Sequence, residues 1–148
     1  MSNKTDPNQT VTGKPDQPEQ GLSLNAAMSE FPRLFNGEPP RIPGWVQPGW
    51  QPLVWRLLTS IDTVLTDAEA QEFRVIQVKE KWGTLSFYFR SSERVRAQLD
   101  ALVAGACTES ATMCMKCGKP AKLANNTGWI AVLCTDHQSQ PLKSLGDL

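Results

Sequence analysis

Apolar residues fall along this chain in two distinct rhythms. Over 53–69, Val54, Leu57, Leu58, Ile61, Val64 and Leu65 recur at three- and four-residue steps. That is the spacing of one face of an amphipathic helix. Asp62, Asp67 and Glu69 lie off that face, and the polar cluster over 66–71 ends the element. The rhythm then changes. Val75, Ile76 and Val78 form a β-branched run, and Leu85, Phe87 and Phe89 alternate with Ser86, Tyr88 and Arg90 at period two. The break falls at Lys81-Trp82-Gly83-Thr84, where Gly83 can take positive φ, so the stretch predicts a β-hairpin. Helical spacing returns with Val95, Leu99, Leu102, Val103 and Ala106. Ser91 or Ser92 is the expected cap of this second helix, and Glu93 sits in the first turn, where the helix dipole favours an anion. Cys107 lies at the edge of the same stripe and reads as a core residue.

The flanks are different in kind. Residues 1–20 hold almost nothing apolar beyond Met1 and Val11 and predict a disordered tail. Residues 21–52 mix Leu, Phe and Trp with six prolines, which forbid a long helix or a central strand. A short helix over 23–30, capped by Ser23, is expected there. The remainder should be irregular chain wrapped on the body by its aromatics. Trp45, Trp50 and Trp55 read as hydrophobic anchors of that segment, with a ligand platform as the alternative. Residues 53–111 form the α+β body, 112–140 a separate small module and 141–148 a tail.

Chemistry concentrates in the small module. The 148-residue chain holds four cysteines and one histidine, and "CMKCGKPAKLANNTGWIAVLCTDH" contains three of the cysteines and the histidine. Cys114-x2-Cys117 and Cys134-x2-His137 are two ligand pairs flanking a hairpin-sized gap, the arrangement tetrahedral zinc requires. Gly118 follows the first pair, where the turn calls for positive φ. The gap predicts two short strands around a turn over 125–128, with Trp129, Ile130, Val132 and Leu133 on the apolar side of the second strand. A metal-binding knuckle, a hairpin and a second pair at a helix start is the order of a treble-clef or zinc-ribbon module. A structural Zn2+ on Cys114, Cys117, Cys134 and His137 is therefore the expected cofactor. A redox dithiol at Cys114/Cys117 would leave Cys134 and His137 unexplained. An all-cysteine site using Cys107 is less economical. Three thiolates around a dication leave one negative charge, which Lys116, Lys119 and Lys122 can offset.

Charge and missing motifs narrow the function. Lys+Arg and Asp+Glu number 15 each, for a formal net charge of zero, which argues against a partner held by bulk phosphate attraction. No hydrophobic run approaches a membrane span and the N-terminus lacks a secretory pattern, so the expected setting is cytoplasmic, with reduced thiols. The chain has no phosphate loop, G-x-G-x-x-G or H-E-x-x-H, and its lone histidine is committed to the metal. A four-ligand shell leaves no place for an activated water. The expectation is a non-catalytic protein that binds a protein partner, with nucleic-acid binding as the alternative. Lys79, Lys81 and Trp82 at the hairpin tip are the candidate contact residues, since an exposed Trp among cations can anchor a partner. The nucleic-acid alternative needs Lys79, Lys81, Arg90, Arg94 and Arg96 to join the lysines of the module in one face.

Taken together, "QVKEKWGTLSFYFR" and "CMKCGKPAKL…GWIAVLCTDH" resemble a small, largely uncharacterised bacterial and prophage protein family. That family pairs a VKEK-aromatic-G-x-L-x-F-Y hairpin with a C-terminal CxxCG…GW…CxxH module. The likeness spans roughly 49–137. Cys114, Cys117, Gly118, Trp129, Cys134 and His137 match individually, whereas Trp82 and Ser86 stand where Phe and Arg are expected. The resemblance implies the same zinc site and a mobile-element setting, and it brings no established activity.

Overall fold

A computed structural model of the chain describes residues 23–40, 46–126 and 129–138. The expected tails over 1–20 and 141–148, Trp45, and the turn residues Thr127 and Gly128 lie outside them. The helices are α1 (Leu24–Glu30), α2 (Pro32–Phe35), α3 (Gln51–Val64), α4 (Asp67–Gln71) and α5 (Glu93–Ser110). The strands are β1 (Arg74–Lys81), β2 (Thr84–Arg90), β3 (Lys122–Asn126) and β4 (Trp129–Leu133). A 3-10 turn at Pro48–Trp50 leads into α3, and one turn of helix covers 135–138. The result is a mixed α+β chain with two antiparallel hairpins among the described residues.

Several boundaries follow local rules that the hydrophobic pattern alone did not reveal. Helix α3 starts at Gln51, ahead of the expected Leu53, because Pro52 sits in the first turn, where its missing N–H costs no hydrogen bond. It also ends early. Leu65 is extended, and 66–71, expected to close the helix, instead starts one of its own. The cause is a capping box: Thr66 Oγ1 accepts from the Glu69 amide at 3.1 Å, and Glu69 Oε1 accepts from the Thr66 amide at 3.0 Å. Ser23 caps α1 as expected, accepting from the Ala26 amide at 3.0 Å. Ser92 occupies the cap position of α5, but its hydroxyl makes no capping bond.

The first hairpin carries an irregularity with a structural purpose. Val75 pairs with Phe89 and Gln77 with Tyr88, so Ile76 is an extra residue in β1. This bulge shifts the alternation by one, which is why Val75 and Val78, three apart, both face the core. Leu85 and Phe87 join them from β2. Helix α5 packs on β2 and on α3, burying Val95, Leu99 and Ala106 against Val54, Leu57, Leu58 and Ile61. Ser110, a buried polar residue at the end of α5, fixes this packing. Its hydroxyl donates to the Cys107 carbonyl at 2.6 Å and accepts from the Leu85 amide at 2.9 Å.

The proline-rich segment is more ordered than irregular chain. Phe31, Leu34 and Phe35 are fully buried, and Phe31 meets Trp55 edge-on at 5.2 Å. Arg33 secures α2 from the outside. Its guanidinium donates to the Asp62 carboxylate at 3.0 Å, the Asp67 carboxylate at 2.9 Å and the Asp62 carbonyl at 2.6 Å. Trp50 and Trp55 are buried, as the anchor reading requires. Trp50 also donates its indole N–H to the Met113 carbonyl at 3.0 Å.

Beside Trp50, Gly49 lies directly on the 114–118 turn. Its amide donates to the Met115 carbonyl at 2.8 Å. A β-carbon on Gly49 would overlap the Cys114 carbonyl oxygen and stand 2.6 Å from the Gly118 nitrogen and 2.8 Å from the Cys117 nitrogen. These are backbone atoms on both sides of the contact, so neither side yields cheaply. Gly49→Ala is expected to cost about 3 kcal/mol, read as a lowered urea midpoint.

Candidate metal centre

The site is assembled from two short pieces of backbone. The first is the tight turn after Met113. There the Gly118 amide donates to the Cys114 carbonyl at 2.8 Å and the Cys114 amide donates to the Lys119 carbonyl at 2.8 Å. Gly118 has φ +81, as its place after the CxxC pair predicts. The Lys116 amide points at Cys114 Sγ, 3.4 Å away. The second piece is the turn of helix at 135–138. The His137 and Gln138 amides both donate to the Cys134 carbonyl, at 3.0 and 2.8 Å. Gln138 Nε2 donates to the Leu133 carbonyl at 2.9 Å and closes the end of β4.

The hairpin between them holds the two pieces in register. Lys122 pairs with Leu133, Leu123 with Val132 and Ala124 with Ala131. Asn125 and Asn126 lie in β3, paired with Ile130 and Trp129, not in the turn where their residue type placed them. The Met115 amide donates to the Val132 carbonyl at 2.9 Å, so the turn carrying the first ligand pair is itself bonded to the strand leading to the second.

Cys114, Cys117, Cys134 and His137 thereby converge, and their ligand atoms all lie within 4.8 Å of one another. Cys117 Sγ stands 3.6 Å from Cys134 Sγ, and His137 Nδ1 stands 3.2 Å from Cys134 Sγ and 3.5 Å from Cys114 Sγ. All three cysteines are free thiols, so no disulfide competes for the sulfurs. Cys114 and Cys134 are buried, and Cys117 is exposed. Such a set can hold a metal ion. Cys107 is outside the group, half-buried on α5, and burial pushes its thiol pKa up. That fits a packing residue and leaves His137 as the fourth member of the cluster.

Backbone donors prepare one of the thiols. Burial raises the Cys114 pKa, but the backbone N–H groups of Cys134, Cys117 and Lys116 outweigh it, with help from the Cys117 side chain, and bring it down to about 6. At Cys117 the Lys119 amide lowers the pKa, but desolvation and the neighbouring sulfurs prevail and raise it. Of the nearby lysines, Lys119 turns to Asp136, with its ammonium 3.9 Å from the carboxylate.

At the hairpin tip, Trp82 is the most exposed large apolar side chain described, at 72 %. Lys79 and Lys81 precede it on β1, and Lys79 Nζ lies 6.0 Å from the centre of the Tyr88 ring. Arg96, which the nucleic-acid alternative places in the basic face, stacks at 4.5 Å on Phe89, a residue paired with core-facing Val75. It also meets Asp100 at 3.5 Å.

No protein-family model, curated protein or solved structure matches the chain. Among the described residues, no helix is long and apolar enough to cross a membrane.

Protons and a divalent ion compete for the same ligand atoms. The Cys114 pKa lies below its ordinary 9.0, so the thiolate this ligand supplies is present above about 6 and is lost as pH falls through that value. Metal affinity should therefore fall by at least about tenfold per pH unit below it. A chromophoric chelator titrated across that range measures the release.

Proposed function

We propose that the chain binds a structural zinc ion through Cys114, Cys117, Cys134 and His137, and that it acts without catalysis by binding another protein. The donor set supports zinc. Three thiolates and one imidazole suit a borderline-soft dication, and bonds of about 2.3 Å to sulfur and 2.0 Å to nitrogen give tetrahedral edges of roughly 3.8 and 3.5 Å. The separations of 3.6, 3.5 and 3.2 Å lie close to these. A turn bearing two cysteines, then a hairpin, then a helix turn bearing the histidine follows treble-clef order rather than ribbon order. The shell is closed by four protein ligands, so the ion's role is architectural, bonding together a segment too small to bury a core of its own.

The observation that carries the binding role is Trp82. The turn joining β1 to β2 has two residues, Trp82 at φ 54 and Gly83 at φ 85. That is a type I′ hairpin turn, whose first position suits Asn, Asp or Gly and disfavours a bulky side chain. A large indole there is both conformationally costly and 72 % exposed, so folding gains little from it. An exposed indole at the end of a lysine-bearing strand is the kind of side chain in which protein hot spots are enriched. We read the chain as a binder of inhibitor, immunity or phage counter-defence type. The engagement of Arg96 with Phe89 and Asp100 interrupts the basic face that a nucleic-acid regulator would need.

Two tests follow. Purified, reduced protein should carry stoichiometric zinc by elemental analysis. Cys114→Ser and Cys134→Ser should each lose it, with protease sensitivity appearing over 112–138; a metal-free wild type that is equally resistant ends the zinc reading. Trp82→Asn should raise stability by about 1 kcal/mol in chemical denaturation, while abolishing capture of the protein partner in which Trp82 is the anchor. A variant that is stabilised and still captures that partner removes Trp82 from the interface, and with it the observation that carries the binding role.

A further inference from the structure

Resting on that reading, we infer that the partner presents an acidic, extended segment, and that it docks on the outer face of the β1–β2 hairpin with Trp82 at its end. The register divides the hairpin into two unlike faces. Val78 pairs with Phe87 and Glu80 with Leu85, facing the core; Gln77 pairs with Tyr88, Lys79 with Ser86 and Lys81 with Thr84, facing away. The sequence Lys79-Glu80-Lys81 looks self-neutralised when read as a string, but the pleat separates it. Glu80 turns toward the Leu85 side, and its carboxylate accepts from the Gly83 amide at 2.7 Å, so it serves the turn. The outer face keeps Lys79, Lys81 and, at the far end of β2, Arg90. None of the three has an ion-pair partner among the described residues, and no acidic residue occupies an outward position from Gln77 to Arg90. A chain with zero formal charge has placed cations without an ion-pair partner among the described residues on one sheet face.

The apolar part of the surface favours a polypeptide over a nucleic acid. Leu123, 53 % exposed, packs its Cδ1 against Gly83 so closely that a β-carbon there would overlap it. The tip thus carries an exposed indole at Trp82, and its next residue, Gly83, lies against the exposed Leu123 of the second hairpin. Bases stack on successive aromatic planes along a basic groove. Two exposed apolar side chains at a hairpin end, with Lys79 and Lys81 on the strand leading to it, instead suit an apolar side chain flanked by carboxylates. Charge complementarity on the rim sets orientation and encounter rate, and the tip supplies the anchor.

The test uses zinc-loaded, full-length protein and three fluorescent probes: a short glutamate-rich peptide containing leucine, the same peptide with glutamine for glutamate, and an oligothymidylate. The glutamate peptide should bind saturably, weaken as salt rises from about 50 to 300 mM, and exceed the glutamine peptide by at least about tenfold. The K79E/K81E double variant should melt as wild type does, lose the glutamate peptide by at least about tenfold, and gain affinity for a lysine-rich version. No saturable binding of the glutamate peptide, equal binding by the double variant, or tighter binding of the oligothymidylate overturns the inference. Loss of this inference leaves the broader reading standing if Trp82→Asn still abolishes capture of the protein partner; if capture also survives that substitution, both fall.

Discussion

The contact between Gly49 and the 114–118 turn couples the two halves of this protein. Backbone meets backbone there, with the Gly49 amide on the Met115 carbonyl and no room for a single methyl group. Trp50 follows at once, buried and bonded through its indole to the Met113 carbonyl. The next residue begins α3, the helix that fills the core. Whatever orders the cysteine-bearing turn therefore also orders the entrance to α3. A metal ion at Cys114 and Cys117 would act on the body through backbone rather than through flexible side chains, which is the stiffest linkage a small protein has. The segment 112–138 is small, and its packing on Gly49 and Trp50 lets it share the larger core.

The hairpin shows the opposite economy. Its core side is specified repeatedly, by the bulge at Ile76, by Ser110 bonded to the Leu85 amide and by Glu80 bonded across the turn. Its outer side is left open, and its tip breaks a local rule by placing Trp82 where a small residue belongs. A turn stabilised from within can hold an unfavourable residue in one position. Residues that break local rules while the surroundings hold firm are where function is best sought. The two hairpins meet at this point, where Leu123 lies against Gly83, so the tip rests on the module that carries the cysteine and histidine cluster.

How far the sequence alone could go is plain from particular residues. Period and spacing identified the helical face from Val54 to Ile61, the hairpin turn at Trp82-Gly83 and the four residues that cluster closely enough to hold a metal, because each is a short-range pattern set by backbone geometry. The capping box from Thr66 to Glu69 was equally local and was written in the chain, but the polar residues around it read as an ending rather than a beginning. Asn125 and Asn126 favoured a turn by type and became strand through pairing with Trp129 and Ile130, since ladder hydrogen bonds outweigh a weak residue preference.

Other features had no local signal at all. Nothing near Gly49 in the chain announces the turn lying against it, and Ser110 looks like any residue at a helix end until Leu85 is brought beside it. The split of Lys79-Glu80-Lys81 into two faces depends on which side of the pleat the core occupies. The spacing of the cysteine and histidine pairs, the helix faces and the turn at Trp82-Gly83 are properties of neighbours in sequence, and the sequence determined them. The joining of the cysteine-bearing turn to the body, and the isolation of cations on an open face, depend on contacts between residues far apart in the chain. Only the tertiary structure could decide those, because burial and close approach exist only once distant segments have met.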